Sequence, residues 1–177
     1  MGRGATDNKS IFYGQKTRLG ITQNKMNRRE DGVVEYYNAS GRLWKATVPK
    51  NVSYKAIGVE AILSAWHDEA TFWLAGGQLH REDGPAIEYA NGYHEYWVRG
   101  QLHRDDGPAK EDTASGFQVW YRHGQLHRED GPASIDPDGE ESYWLDGKHY
   151  QTEARMAPAV EKLKRARVEA LVQDNRN

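Results

Sequence analysis

One ten-residue stretch, Gly-Gln-Leu-His-Arg-Glu/Asp-Asp-Gly-Pro-Ala, is written three times in this chain: Gly77 to Ala86, Gly100 to Ala109 and Gly124 to Ala133. The copies differ only in that Glu82 and Glu129 correspond to Asp105. From His80 to His103 is 23 residues, and from His103 to His127 is 24. Self-similarity at such a period marks a repeat architecture, in which each unit is one supersecondary element that buries its apolar face by stacking on the next.

The grammar of one unit is that of β-structure. Pro85 to Tyr89 is a short extended run. Asn91-Gly92 follows, a strong hairpin signal, because both residues tolerate the positive φ of a type I′ turn. Tyr93 to Val98 is aromatic and β-branched and reads as a strand. Arg99-Gly100 makes a second turn, Gln101 to His103 continues extended, and Arg104 to Gly107 is a polar loop. Pro108 cannot donate to a ladder and opens the next strand. Ser115-Gly116 and Asp138-Gly139 stand where Asn91-Gly92 stands. Side chains alternate across a strand, so Trp73, Trp97, Tyr121 and Trp144 form one aromatic column and Phe72, Tyr96, Trp120 and Tyr143 another. Leu79, Leu102 and Leu126 form a third, aliphatic column. The expected fold is mainly β: tandem β-hairpin repeats in an antiparallel meander, closed by a C-terminal α-helix.

Trp97-x-x-Gly100-x-x-His103 resembles the Trp-x-x-Gly-x-x-His core of MORN repeats, whose units are also about 23 residues long. Tyr121-x-x-Gly124-x-x-His127 fits with Tyr for Trp, Trp73 to His80 fits with one extra Gly, and Trp144-x-x-Gly147 fits before the pattern fades. MORN units place Gly directly after His, whereas Arg-Glu/Asp-Asp intervenes here. The resemblance covers residues 58 to 150. It implies stacked β-hairpins and a binding or scaffolding role, including the inhibitor or antitoxin-like accessory proteins of bacteria and phage.

Composition bounds the rest. With 177 residues the chain suits one domain with attachments. Its core must lean on six Trp, ten Tyr and three Phe. Without Cys there is no disulfide or thiolate metal site. No apolar run is long enough for a transmembrane helix, and the N-terminus lacks the apolar stretch of a signal peptide, so a cytoplasmic protein is expected. The net charge of −2 argues against broad binding to duplex DNA. Residues 1–27 read as a basic N-terminal extension, disordered over its first ten residues, with strand signals at Ile11-Phe12-Tyr13 and Leu19-Gly20-Ile21. Residues 28–150 form the repeat domain, with degenerate units over 28–76 and clear ones over 77–150. Arg28 to Val34 is a worn copy of the motif. Residues 48–70 read as strand on repeat register and as helix on spacing. Residues 151–177 form the C-terminal helix. In it, Met156, Ala159, Val160, Leu163, Ala166, Ala170 and Leu171 make one apolar stripe, Pro158 lies in the first turn, and Arg167 snorkels from within the stripe. The stripe should dock on the last units, with Leu163 near Trp144, or on a second subunit, the homodimer contact being this helix or a sheet face.

The candidate binding residues are His80, Arg81, His103, Arg104, His127 and Arg128, a ladder of donors along one edge of the sheet. Asp83, Gly84 and Pro85, with Asp106, Gly107 and Pro108 and with Asp130, Gly131 and Pro132, are assigned to the loop itself. Asp accepts from loop N–H groups, Gly supplies an unusual φ, and Pro stiffens the strand entry. Arg81 is expected to pair with Asp106 of the next unit. No metal site is expected, since histidines of successive two-stranded units lie roughly 10 Å apart and cannot share an ion. No cofactor and no catalysis are expected either, because no Ser or Cys recurs to serve as nucleophile beside the His-Asp pairs. The sequence thus reads as a non-enzymatic module that binds a protein. The alternatives are a nucleotide or single-stranded nucleic-acid binder using the His-Arg edge, and third a hydrolase using His-Asp pairs.

Overall fold

The computed structural model describes residues 11–17, 20–52 and 68–174. The protein is mainly β, an antiparallel meander followed by a C-terminal helix. The sequence stretches read as disordered (residues 1–10) and as strand or helix (most of 48–70) lie largely outside the described residues. The chain divides into two compact units, residues 1–101 and 102–177.

The first unit contains β1 (Ile11–Thr17), β2 (Gly20–Arg28), β3 (Val34–Tyr37), β4 (Leu43–Val48), β5 (Ala70–Ala75), β6 (Gln78–Leu79), β7 (Ile87–Tyr89), β8 (Tyr93–Glu95) and β9 (Trp97–Val98). The division falls within β10 (Gln101–Leu102). Strands β1 to β5, β7 and β8 pair antiparallel in that order, and β6 folds back on β5. Residues 20–27, assigned by sequence to a basic extension, lie in β2, and Lys25 to Arg28 of that strand pair with β3. The register aligns Asn27, Glu35, Ala46, Phe72, Ile87 and Glu95 in one cross-strand row. Ala46, Phe72 and Ile87 are wholly buried, and this row is the spine of the core.

An acid sits near each end of the row, and each needs donors because an unpaired buried carboxylate is costly. Glu35 accepts from Asn27 Nδ2 (3.1 Å), Arg29 Nη1 (3.4 Å) and Tyr37 Oη (2.9 Å). Burial, together with that bond to Glu35, pushes the Tyr37 hydroxyl up to about 12. Glu95 accepts from the Trp97 indole N–H at 2.8 Å.

The second unit contains β11 (Lys110–Asp112), β12 (Phe117–Val119), β13 (Tyr121–Arg122), β14 (Gln125–Leu126), β15 (Ser134–Ile135), β16 (Glu141–Leu145), β17 (Lys148–Tyr150) and α1 (Glu153–Asp174). Strands β11, β12, β15, β16 and β17 pair in that order, while β13 and β14 form their own hairpin. Thr152 caps α1: its hydroxyl accepts from Arg155 N (3.3 Å) and its carbonyl from Met156 N (3.2 Å).

Three local expectations are corrected. The turn at Asn91-Gly92 is not type I′. Only Gly92 has positive φ, its N–H bonds Tyr89 O at 3.0 Å, and Asn91 Oδ1 accepts from Tyr93 N at 3.0 Å. This is a three-residue loop ending in a left-handed glycine, the other common hairpin solution. The paired positive φ values occur instead at Gly76-Gly77, Arg99-Gly100, His123-Gly124 and Asp146-Gly147. Second, α1 starts five residues before Pro158, so Pro158 lies inside the helix rather than in its first turn. Third, the apolar stripe docks only over its first half. Met156 and Val160 are buried with Leu145, and Ala159 and Leu163 pack against them beside Tyr143 and Tyr150. Leu163 thus sits in the predicted neighbourhood of Trp144, whereas Ala166, Ala170 and Leu171 are exposed. No helix among the described residues is long and apolar enough to cross a membrane.

Candidate functional site: the repeat loops

Each repeated arginine folds back into its own loop. Arg81 Nε donates to Asp83 Oδ1 (2.9 Å), and its Nη1 donates to Pro85 O (3.1 Å) and Glu88 Oε1 (3.0 Å). Arg104 repeats this with Asp106 (3.0 Å), Pro108 O (3.2 Å) and Glu111 (3.2 Å). Arg128 does so with Asp130 (2.9 Å) and Pro132 O (3.1 Å). Aromatic faces lie against two of the guanidiniums, 4.1 Å from the Trp73 centroid to Arg81 Cζ and 3.9 Å from the Trp120 centroid to Arg128 Cζ. A pairing of each arginine with the next unit's aspartate is therefore replaced by a lock within the unit. The short path from Nε to a residue two positions on, and from Nη1 to the carbonyl four positions on, lets one planar fork close the whole loop.

The glycine is required for room, not for φ. Gly84, Gly107 and Gly131 are absent from the positive-φ residues, correcting the expected role. A Cβ on Gly84 or Gly107 would stand 2.9 Å from the Cζ of Arg81 or Arg104, and one on Gly131 would stand 3.1 Å from that of Arg128. The guanidinium lies over the glycine Cα, so a Cβ at Gly84 or Gly107 makes it shift, and one at Gly131 makes it give by a few tenths of an ångström.

The histidines supply the register ladder that the arginines do not. His80 Nδ1 accepts from Arg99 N (3.2 Å) and His103 Nδ1 accepts from His123 N (3.3 Å). Arg99 and His123 are the first left-handed residues of the following turns. The bond fixes the neutral tautomer, leaving the proton on Nε2, which faces Glu82 at 3.7 Å and Asp105 at 3.5 Å. His103 also stacks on His123, with ring centroids 4.4 Å apart. Backbone bonds run in parallel, from Gly100 N to Leu79 O and from Gly124 N to Leu102 O, both 2.9 Å. His127 differs. Its Nδ1 lies 3.1 Å from Asp146 N and 2.8 Å from Asp146 Oδ1. A neutral ring accepts the first of these, and a protonated ring donates to the second.

The six residues read as a donor edge therefore point inward, and what faces solvent is acidic. Side chains of Glu82, Asp83, Asp105, Asp106 and Asp130 are 77% to 87% exposed, against 22% to 23% for Arg81, Arg104 and Arg128. The Arg81 guanidinium, by hydrogen bond and then by charge, holds the Asp83 carboxyl below its ordinary value of 3.8.

Glu129 is the exception, only 19% exposed. In the second unit, α1 lays Arg167 across it, Nη2 on Oε1 at 2.6 Å and Nη1 on Oε2 at 3.0 Å. Arg122 Nη1 (3.3 Å) and His127 Nε2 (3.2 Å) approach the same Oε1. Burial raises the Glu129 carboxyl, but the bonds and charges of Arg167 and His127 outweigh it and leave the group below 4.5. These residues line a cleft of about 680 Å³ that also includes Arg104, Asp105, Asp106 and Trp120. Arg167 and Arg122 were not singled out as site residues by sequence, since neither belongs to the repeated motif. Their only signal was charge: Arg167 interrupts an apolar stripe, and Arg122 occupies a position where the preceding unit has Val98. Among the described residues, no group of three or more His, Cys, Asp or Glu side chains is placed to hold a metal ion. The chain matches no family model, no curated protein and no solved structure.

Proposed function

We propose that this protein is a non-enzymatic binding module that presents its repeat loops to a basic surface of another protein. The observation that carries this reading is the direction of the loop charges: arginines tied down inside, carboxylates held outside. A nucleotide or nucleic-acid phosphate would meet those carboxylates before any guanidinium, so a protein partner is favoured over a polyanion. His80 and His103 have Nδ1 committed to a turn N–H, which speaks for a structural imidazole rather than a general base. An inhibitor or antitoxin-like accessory role is the form of this reading that the MORN resemblance implies.

The test is chemical cross-linking of the tagged full chain in extract, scored by mass spectrometry, with co-purifying nucleic acid quantified after nuclease treatment. A saturable protein partner that survives nuclease supports the proposal. Capture of nucleic acid alone overturns it, as does hydrolysis of a nucleotide or ester panel that is lost when His80, His103 and His127 are replaced together.

A further inference from the structure

We infer that the carboxylate after each His-Arg pair is a receptor for an arginine side chain, and that α1 fills one receptor in cis while the others await an arginine-bearing helix of a partner protein. This rests on the protein-binding reading above and names the chemistry of its partner.

The inference is carried by the clamp on the third loop. Glu129 receives a two-point guanidinium from Arg167, thirty-eight residues away on a helix that otherwise leaves the fold after Leu163. A fork meeting a carboxylate edge-on is the geometry for which arginine is suited and lysine is not. His127 Nε2 and Arg122 Nη1 hold the same carboxylate at Oε1. The second loop reproduces the His-carboxylate part of this arrangement without a guest, and without an Arg122 counterpart, since Val98 stands at that place in the repeat. Asp105 occupies the Glu129 position, His103 Nε2 faces it at 3.5 Å, and its side chain is 85% exposed instead of 19%. Asp105 and Arg167 line the same cleft, so the unfilled receptor lies beside the filled one. The first loop, in the other unit, presents Glu82 to His80 in the same way, 77% exposed.

Charge complementarity decides the occupant. The second and first loops each add a second exposed carboxylate, Asp106 and Asp83, whose own arginine is fixed beneath it. Such a surface attracts cations and repels phosphate. The cis example shows how the cation arrives, on a helix that carries Arg165 and Arg167 amid apolar Val168, Leu171 and Val172, the last three exposed. A partner helix of similar make-up would set an arginine on Asp105 as α1 sets Arg167 on Glu129.

The experiment uses the full chain and a fluorescent peptide spanning residues 159–172 of α1, alongside the same peptide with Arg165→Lys and Arg167→Lys, read by anisotropy. The arginine peptide should bind at least about fivefold tighter than the lysine peptide, because charge is equal and only the fork is lost. In the protein, Glu82→Gln with Asp105→Asn should weaken it about tenfold. Both sites are exposed, so circular dichroism should show an unchanged fold. Protein Arg167→Gln, which vacates the third loop, should raise the number of peptides bound. Equal binding of the two peptides, or no effect of the carboxylate substitutions, overturns the inference. So does a wild-type dimer in sedimentation that Asp105→Asn dissociates, since the occupant would then be a second copy. If Glu82→Gln with Asp105→Asn leaves cross-linking to a cellular partner intact, the binding module stands and the arginine receptor falls. If the wild type captures no protein and binds no peptide, both fall.

Discussion

Replacing Arg128 by Ala tests the inward lock directly. The guanidinium donates a charge-assisted bond to Pro132 O at 3.1 Å, worth about 1.5–3 kcal/mol. Its face on Trp120, at 3.9 Å, adds about 0.5–1 kcal/mol. The three stem methylenes, on a side chain 23% exposed, add roughly 1.5 kcal/mol of apolar burial. The bond to Asp130 adds little, because that carboxylate is 85% exposed and screened. These contributions overlap, and water reaches the freed carbonyl, so a loss of about 3 kcal/mol is expected. For a chain of this size that lowers the melting temperature by about 6–12 °C. Arg128→Lys keeps the stem and the charge, but a single ammonium cannot reach Asp130 and Pro132 O while lying flat on the indole. It should recover about half of the loss. Calorimetry and urea titration, with an unchanged denaturant slope, give the reading. An Arg128→Ala protein melting within about 2 °C of the wild type, or a lysine variant equal to it, would refute an arginine that holds the loop.

The remaining predictions concern the other parts of the motif and the helix. Gly107→Ala should destabilise although the glycine φ is ordinary, because the new Cβ displaces Arg104; a neutral effect in urea unfolding would mean that the guanidinium moves freely. His103→Ala should cost about 1–2 kcal/mol by leaving the His123 turn N–H without its acceptor and removing a ring stack, and amide exchange at His123 should quicken. Met156→Ala, at a wholly buried position, should cost about 2–5 kcal/mol, whereas Leu171→Ala should leave the melting temperature unchanged, since that side chain is 64% exposed. The Glu129 carboxyl lies below 4.5 when folded, so the stability it contributes is present above its unfolded pKa and lost as pH falls through the lower folded value. The α1 clamp should therefore hold above the ordinary carboxylate value of 4.5 and open as pH falls through the lower folded value, which amide exchange of α1 against pH, with Glu129→Gln as the control, would show.

Hairpin order and turn positions were legible because they follow from period-two patterning and from Gly placement, both local properties, whereas the one strand read over Tyr93 to Val98 is broken at Tyr96 into β8 and β9. The worn copy was legible too: Arg29 still reaches Asp31 at 2.7 Å, as Arg81 reaches Asp83. Side-chain direction was not legible. Three identical His-Arg pairs announce a constraint, but identity does not distinguish a guanidinium facing a ligand from one lying on Gly84 and Trp73. Nor does sequence separate a glycine needed for backbone angle from one needed for space, which is why the role of Gly107 was misassigned. The paired positive φ values fall at Arg99-Gly100 and not at Asn91-Gly92 because only two residues join β9 to β10, a loop length that calls for two left-handed residues, whereas three join β7 to β8. Arg167 stayed hidden because its partner lies thirty-eight residues back.

The way arginine rests on glycine also governs how such a loop can change. Arg104, Asp106 and Gly107 interlock, so any one altered alone leaves the other two badly placed, and small steps between one sound loop and another pass through unsound ones. Copies should then persist verbatim or be rebuilt wholesale, with few half-changed forms between. The chain holds an example of each. Residues 77–86, 100–109 and 124–133 are all but letter-perfect. At residues 28–34 the loop has been recast: Val33 replaces proline, Gly32 takes a φ of 86°, and the space above its Cα belongs to Pro49 instead of an arginine.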